Sequence, residues 1–158
     1  MRGLIEWALR NFRKKLMKIQ IKKLREDAKI PKFALIGDVA MDLFSNEDLV
    51  INPGERISCK TGIAIKLQEG YAGLVWDKSG LSHKKGLKTL GGVFDSNYLG
   101  EWFVGLVNLD KKEYKIEKGQ KIAQVVFQEI ERPEIEEVEN FDSETTRGEN
   151  AFGSTGKF

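Results

Sequence analysis

Cysteine and histidine are almost missing from this sequence: Cys59 and His83 are single examples in 158 residues. One cysteine excludes an intrachain disulfide and fits a reducing compartment, so we expect a cytoplasmic protein. Zinc and similar metals bind several nitrogen or sulfur ligands, and the composition therefore disfavours a transition-metal site. Any catalytic metal is expected to be a hard cation held by oxygen atoms, such as Mg²⁺.

Long apolar runs are absent as well. No stretch approaches the roughly 20 apolar residues that cross a bilayer, and the first residues are amphipathic rather than a solid apolar block, which argues against a secretory signal. With 41% hydrophobic and 32% charged residues, the composition is that of a globular chain rather than a disordered one. The length suits one compact domain.

The net charge of +2 conceals two oppositely charged ends. Residues 1–32 hold eleven lysines or arginines against three acidic residues, and residues 129–149 hold nine acidic residues against two arginines. A basic arm that binds nucleic acid or anionic lipid is one interpretation. Apolar positions interrupt the basic segment, and no aromatic residues interleave with the basic residues of 18–32. We therefore expect solvated ends and no stable nucleic-acid partner.

Residues 3–16 predict a short basic amphipathic helix. The apolar residues that share one face at helical spacing are Leu4, Ile5, Ala8, Leu9, Phe12 and Leu16. Such a helix could lie on a membrane or dock on a partner. It could also be an upstream extension, because Met17 directly precedes the first strand-like stretch. An extension or a docking element is the preferred interpretation, and no membrane partner is expected.

From Met17 onward the apolar period changes to two. Segments rich in β-branched and aromatic residues, separated by turn signals, predict strands within 18–24, 55–67, 71–77, 101–109 and 121–130. Many short strands with regular turns predict an all-β barrel or sandwich. A helical turn or two is expected near Ser79–Lys85, and the core is expected to end at about Glu129.

Five segments interrupt the strand pattern with small and ionisable residues. They are “DVAMDL” (38–43), “DKSGLSHKKGL” (77–87), “GGVFDSNYLGE” (91–101), “GQKIAQ” (119–124) and the tail “TTRGENAFGSTGKF” (145–158). The second places a hydroxyl and a glycine at a turn into a short helix, which can cradle an anion. The third predicts a hairpin closed by Ser96–Asn97, in which Asp95 could act as a general base and Tyr98 could stack on a sugar. Taken singly, each is equally well explained as an ordinary loop.

Taken together, in order and spacing, the five segments resemble the five motifs of the trimeric deoxyuridine triphosphatases (dUTPases). The tail is the most specific, since residues 147–156 depart from the family pattern R-G-x-x-G-F-G-[ST]-T-G only at Ala151. Residues 92–101 resemble G-V-I-D-x-x-Y-x-G-E, residues 78–87 resemble R-S-G-L-A-x-K-x-G-L, and residues 119–124 resemble G-x-R-I-A-Q. Residues 39–43 are a looser match to A-G-x-D-L. The resemblance covers residues 17–158.

The resemblance implies a jelly-roll-like β-barrel at residues 17–130 after the helical extension at 1–16, an acidic linker at 131–146 and a C-terminal lid at 147–158. It implies a homotrimer in which the tail is swapped between chains. The implied reaction is the hydrolysis of dUTP to dUMP and pyrophosphate by water attack on the α-phosphorus. That reaction keeps uracil out of DNA and supplies dUMP for dTMP synthesis. Mg²⁺ would be held mainly by the three phosphates.

Site residues follow from the same resemblance. Asp95 would activate the attacking water, and Tyr98 would lie under the deoxyribose and exclude a 2′-hydroxyl. The backbone of the 92–101 hairpin, including Gly92 and Val93, would bond the uracil edge. Asp42 would support the metal–phosphate site, reaching the metal at most through water, and would position the tail arginine.

The phosphate chain and the lid involve a further set of residues. Phosphate binding is implied for Lys78, Ser79, Gly80, Gln124, Arg147 and Ser154. Within the lid, Phe152 would stack on uracil and Gly153 would let the backbone fold around the ligand. Several residues depart from the family pattern. Lys78 replaces an arginine and loses its bidentate fork, Ala151 replaces a glycine, Ser82 replaces an alanine, and Ala40 and Met41 make the first motif less typical.

Two alternatives stay open at this stage. A dCTP deaminase, or a bifunctional deaminase–dUTPase, shares the jelly roll but needs an acid/base carboxylate at the position that Gly105 occupies here. A non-catalytic binding protein on the same fold would use the 3–16 helix as its docking element, although Asp95 argues against a dead site.

Overall fold

The computed structural model describes residues 17–141, which form eleven strands and one short helix. In chain order these elements are β1 (Gln20–Lys23), β2 (Met41–Phe44), β3 (Leu49–Ile51), β4 (Arg56–Lys60), β5 (Ile63–Lys66), β6 (Tyr71–Asp77), α1 (Ser79–Lys85), β7 (Leu87–Leu90), β8 (Val93–Phe94), β9 (Phe103–Asn108), β10 (Tyr114–Ile116) and β11 (Lys121–Glu129). The predicted helix at 3–16 and the predicted lid at 147–158 lie outside the described residues.

The all-β prediction is confirmed, and the short helix begins and ends where the sequence predicted it. Each predicted strand segment contains at least one observed strand, and the segment 55–67 divides into β4 and β5 at Gly62, whose φ is 71°. The helix ends at Gly86 in the left-handed conformation, with φ 65°. No helix in the described range is long and apolar enough to cross a membrane.

Four strands were missed by the sequence analysis: β2, β3, β7 and β10. The prediction that residues 38–43 break the strand pattern is wrong for β2, because all four of its residues are buried and no alternation marks them. The strands β3 and β10 have three residues each and stabilise one another as an antiparallel pair. Such short strands carry too few positions for a periodic pattern.

All strand pairs are antiparallel and form four sheets. The largest has the order β2-β11-β6-β8, and a three-stranded sheet has the order β4-β9-β7. The pairs β1–β5 and β10–β3 complete the set. These four sheets share one apolar core, while the jelly-roll-like closure of the barrel stays a prediction. After β11, residues 131–141 form neither strand nor helix and are exposed.

The indole of Trp102 lies at the centre of the core and is fully buried. Its ring stacks on Phe94 with centroids 4.0 Å apart and planes at 10°. Gly73 on β6, the strand partner of Phe94, lies against the same indole, where a β-carbon would overlap Cη2 of Trp102. Because Phe94 immediately precedes Asp95, this stack connects the core to the third motif-like segment.

Gly73→Ala is expected to destabilise the protein by about 1–3 kcal/mol, because the added methyl group would displace a tightly packed indole. The measurement is urea-induced unfolding of the variant and of Gly80→Ala, whose added methyl group would meet no atom within 4 Å. Equal free energies of unfolding for the two variants would contradict the packing described here.

Candidate active site

Three side chains of different strands lie on one face of the large sheet, and a β-bulge in β11 adds Lys121 to this face. Gln124 on β11 pairs with Asp42 on β2 and with Trp76 on β6, so these three residues form a row across the sheet. The register between β11 and β2 shifts between Lys121 and Ala123, which pairs Lys121 with Phe44. Without the extra residue, Lys121 would face the opposite side. The bulge therefore places Lys121 beside Asp42.

Asp42 is held by two lysines. Its side chain is 4% exposed, Lys78 Nζ donates to its Oδ1 at 2.5 Å, and Lys121 Nζ forms an ion pair with its Oδ2 at 2.6 Å. Burial raises the pKa of Asp42, but the contacts and charges of Lys121 and Lys78 outweigh it and hold the pKa below its ordinary value. One buried carboxylate facing two lysines leaves this cluster with a net positive charge.

The low pKa of Asp42 predicts how stability responds to acid. Because the folded state lowers this pKa, the ion pairs stabilise the protein fully above the unfolded value of about 3.9 and lose that contribution as pH falls through the folded pKa. The free energy of unfolding of wild type should therefore fall more steeply below pH 4 than that of Asp42→Asn. Urea unfolding between pH 2.5 and 7 measures both, with Glu113→Gln in an exposed ion pair as the control. Parallel curves for wild type and Asp42→Asn would contradict this assignment.

A cleft of about 270 Å³ opens over this row. Its polar walls come from Asp38, Asp42, Lys78 and Gln124, and Trp76 forms an apolar wall. The amide of Gln124 is oriented by a 2.9 Å hydrogen bond from Nε2 to the carbonyl oxygen of Asp77. The ammonium group of Lys78 and the oriented amide are the groups in this cleft that suit an anionic ligand.

Gly92 and Val93 lie on the other side of Trp76. The two residues line a second cleft of about 250 Å³ together with Trp76 and residues of β6 and β7. Gly92 has φ 104°, and a β-carbon there would lie 2.8 Å from the carbonyl oxygen of Val75. Its own carbonyl accepts a 2.7 Å hydrogen bond from the N–H of Val75. Only glycine permits this close backbone approach.

Asp95 and Tyr98 follow β8 in a tight turn. The N–H of Tyr98 donates to the carbonyl of Asp95 at 3.2 Å, which closes the turn over Ser96 and Asn97 as predicted. The predicted hairpin is wrong in one respect: β8 pairs with β6, and residues 98–101 form no second strand. Asp95 is exposed. The hydroxyl of Tyr98 donates to the carbonyl of Glu101 at 2.9 Å.

The predicted site residues within the described range fall into separate groups. Asp42, Lys78 and Gln124 meet in one cleft, and Gly92 and Val93 line the other. Asp95 and Tyr98 line neither of these two clefts, and Ser79 and Gly80 are exposed at the start of α1. These two clefts therefore do not join all of the groups. The predicted residues Arg147, Phe152, Gly153 and Ser154 lie outside the described residues.

Three residues in or beside these clefts were not assigned a role from the sequence. Lys121 lies within the fourth segment, but only the bulge shows that it reaches Asp42. Trp76 is 57% exposed at a strand position and is shared by both clefts. Asp77 begins the second segment, and its partners come from β7 and β11. Trp76 is a large aromatic residue directly before the second segment, and this was the one feature of the sequence that could have indicated a role in the site.

The described residues thus form an all-β protein with a cleft that presents a lysine and an oriented amide. A family model described as dUTPase matches residues 26–156. The chain belongs to the dUTPase family.

Individual relatives agree with this membership. The chain is 45% identical over 141 residues to a deoxyuridine 5′-triphosphate nucleotidohydrolase of Clostridium tetani, covering 88% of this chain and 97% of the relative. It is 46% identical over 143 residues to one of Hydrogenobaculum sp., covering 89% and 99%. A solved structure of Staphylococcus bacteriophage 80alpha dUTPase with dUpNHpp has a TM-score of 0.83 and 34% identity, covering 88% of this chain and 98% of that one.

A second solved structure, of a mutant dUTPase from phage phi11 of S. aureus, has a TM-score of 0.75 and 30% identity, and covers 80% of this chain and 99% of that one. It is described as showing the coordination of a structural Mg(II) ion. The dCTP deaminase alternative finds no support in these comparisons. Gly105 occupies the position where a deaminase needs its acid/base carboxylate. A β-carbon there would lie 2.9 Å from the carbonyl oxygen of Leu90, which leaves no room for such a side chain.

Proposed function

We propose that this protein hydrolyses dUTP to dUMP and pyrophosphate, and so keeps uracil out of DNA and supplies dUMP for dTMP synthesis. The observation that carries the proposal is the cleft in which Asp42, Lys78 and Gln124 meet, although they lie in three different motifs of the sequence. The relatives named deoxyuridine 5′-triphosphate nucleotidohydrolase support the same reaction. The single cysteine, Cys59, is free and buried, which suits a reducing compartment and supports a cytoplasmic location.

The phosphate chain would occupy the cleft that contains Asp42, Lys78 and Gln124. Lys78 would supply a positive charge, Gln124 an amide donor, and Ser79 and Gly80 hydroxyl and backbone donors at the start of α1. Asp42 would hold Lys78 at the rim of the cleft, and the incoming phosphates would compete for that lysine. From the tail, Arg147 and Ser154 would add contacts to the phosphates, while Phe152 would cover the base and Gly153 would give the lid its freedom.

Mg²⁺ would reach the site bound to the triphosphate. Within residues 17–141, no group of three or more His, Cys, Asp or Glu side chains is arranged to hold a metal ion, and both oxygens of Asp42 face lysines. This set of donors fits an ion whose ligands are mainly phosphate oxygens, with Asp42 contacting it through water. When bound, the ion would neutralise phosphate charge.

Water activation is assigned to Asp95. Its carboxylate is exposed on a turn anchored by the Phe94–Trp102 stack, so the group can meet a substrate while its backbone stays fixed. A carboxylate that accepts a proton from water makes that water a better nucleophile for the α-phosphorus. The pyrophosphate would then leave as the α–β bridging bond breaks.

Discrimination against ribonucleotides is assigned to Tyr98. The bond from its hydroxyl to Glu101 and its tilted contact with Phe94, with ring centroids 6.1 Å apart, fix the ring. Tyr98→Ala is expected to lower the ratio of kcat/KM for dUTP over UTP by roughly tenfold or more, because the surface that excludes a 2′-hydroxyl is lost. Steady-state kinetics with both nucleotides measure the ratio, and Tyr98→Phe is the matched control that keeps the ring. An unchanged ratio in Tyr98→Ala would reject the assignment.

The active unit is proposed to be a homotrimer with a swapped tail. Large apolar side chains beside the cleft support it: Leu35 is 72%, Ile36 is 108% and Val39 is 80% exposed in a single chain. Clustered exposed apolar residues of this size are typical of protein interfaces. A trimer would also bring Asp95 and Tyr98 of one chain to the Lys78 cleft of another. We propose no docking partner for the 3–16 helix.

The test of the proposed function is turnover of a nucleotide panel with Mg²⁺. We expect pyrophosphate release from dUTP and at least about a hundredfold lower kcat/KM for dCTP, dTTP and UTP. Backbone hydrogen bonds to the uracil edge would reject cytosine, a site fitted to uracil would lack room for the 5-methyl group of thymine, and Tyr98 would exclude the 2′-hydroxyl of UTP. Ammonia release from dCTP is measured in the same reactions and should stay at background. Ammonia release, or equal turnover of all four nucleotides, would overturn the proposal.

A further inference from the structure

Asp77 is the most highly bonded side chain beside the cleft, and the proposed reaction gives it no role. Its Oδ1 accepts the Thr89 N–H at 2.7 Å and the Thr89 hydroxyl at 2.6 Å. Its Oδ2 accepts from Lys88 Nζ at 2.8 Å. The side chain is 21% exposed. One carboxylate thus accepts three hydrogen bonds from two consecutive residues of β7.

These side-chain hydrogen bonds connect the four-stranded sheet to the three-stranded sheet, whose strands β6 and β7 are not paired with each other. Asp77 ends β6 in the four-stranded sheet, whereas Thr89 lies on β7, which pairs only with β9 among the described strands. The end of β6 is the point where the chain leaves the sheet for Lys78 and α1. Fixing Asp77 therefore fixes the backbone from which Lys78 extends.

The main chain of Asp77 reaches a second residue of the cleft. Its carbonyl oxygen accepts the Gln124 Nε2 hydrogen bond at 2.9 Å, so the position of that carbonyl sets the orientation of the amide. Asp77 therefore contacts Gln124 through its carbonyl oxygen and directly precedes Lys78 in the chain. It lines neither cleft itself, which separates it from residues that touch the ligand.

We propose that Asp77 is a positioning residue: anchored on Thr89, it holds the Gln124 amide and the Lys78 backbone in the geometry that binds the triphosphate. The inference deepens the proposed function and rests on it. If Asp77 positions only the phosphate site, its loss should weaken the affinity for ligands that carry the triphosphate and leave the affinity for the nucleoside unchanged.

The low pKa of Asp77 agrees with this anchoring. Burial raises the pKa, but the hydrogen bonds from Lys88 and Thr89 outweigh it and lower the pKa below the ordinary value. The carboxylate is therefore an ionised acceptor at neutral pH, and hydrogen bonds to an ionised acceptor are stronger than those between neutral groups.

The experiment compares the inhibition constants of dUpNHpp and of deoxyuridine in variants of the full chain. In Asp77→Ala, we expect the constant for dUpNHpp to rise about tenfold or more, while that for deoxyuridine stays within about twofold. Asp77→Asn keeps an acceptor for the Thr89 N–H and should restore most of the dUpNHpp affinity. Thr89→Val removes only the hydroxyl donor and should give a smaller rise of the same kind.

The matched control is Glu47→Ala. That carboxylate also combines a backbone bond, from the Lys60 N–H at 2.8 Å, with a lysine ion pair, at 3.7 Å to Lys60 Nζ, but it lies outside both clefts. It should leave both constants unchanged. If Asp77→Ala does not fold, Thr89→Val decides the outcome.

Equal changes in both inhibition constants, or none, in the variants of Asp77 and Thr89 would overturn the positioning role. Failure of the proposed function is a different result, since wild type itself would then neither hydrolyse dUTP nor bind dUpNHpp. A wild-type protein that does both, alongside an Asp77→Ala variant with unchanged affinities, would refute only the inference about Asp77.

Discussion

Asp95→Asn is expected to lose about a thousandfold in kcat for dUTP while it keeps the fold and the affinity for substrate. General-base catalysis by a positioned carboxylate contributes on the order of 10²–10⁴ to a rate, and the amide cannot take a proton from water. The substitution changes one atom of an exposed side chain. The turn is closed by the carbonyl of residue 95 rather than by its carboxylate, so its main-chain bond survives.

The measurement is single-turnover hydrolysis of dUTP together with the dissociation constant of dUpNHpp. Asp48→Asn is a suitable control, because Asp48 is also a turn-associated aspartate that accepts a backbone bond, from the Lys118 N–H at 2.8 Å. It should retain wild-type turnover. A variant Asp95→Asn with turnover within tenfold of wild type would assign the base to another residue.

Deletion of residues 147–158 is expected to reduce turnover by at least about a hundredfold and to leave the core folded and trimeric. The proposed lid supplies Arg147 and Ser154 to the phosphates and Phe152 to the base, and closure of such a lid completes a site and excludes bulk water. The last strand, β11, ends at Glu129, before these residues. Turnover and sedimentation of the shortened chain measure both parts of the prediction.

A mixture of two inactive variants tests whether the lid comes from a neighbouring chain. The shortened chain retains Asp95 without a lid, and the full-length Asp95→Asn chain retains a lid without the base. After co-refolding, mixed trimers should contain sites with both parts, and turnover should rise well above that of either variant alone. A mixture no more active than its components, with mixed trimers present, would show that each lid serves its own chain.

The motifs were predictable from the sequence because they depend on residue identity. Which motif residues lie close together in the fold depends instead on the pairing register of strands that are distant in the chain. Alternation indicated β1, β4 and β5, and β-branched and aromatic content indicated β6, β9 and β11. A helical turn or two was expected near Ser79–Lys85, where α1 lies. Alternation could not reveal β2, since both faces of Met41–Phe44 are covered. The row formed by Asp42, Gln124 and Trp76 requires the pairing of three strands far apart in the chain, which no local pattern encodes.

The bulge between Lys121 and Ala123 illustrates the same limit at the level of one residue. A regular β11 would turn Lys121 away from Asp42, and nothing in the letters “GQKIAQ” indicates which register applies. From the sequence, Lys78 was expected to be a weaker substitute for the family's arginine. In the structure, two lysines share one carboxylate, and such point charges can be arranged around it without the planar fork that arginine requires.

The exposure of Trp76 gives the protein an intrinsic optical reporter. Of the three tryptophans, Trp102 is sealed in the core and Trp7 is outside the described residues, while the indole of Trp76 is 57% exposed between the two clefts. A nucleotide settling beside this indole would displace water from it and shift its emission. Stopped-flow fluorescence of the unlabelled enzyme can therefore time nucleotide arrival separately from bond cleavage.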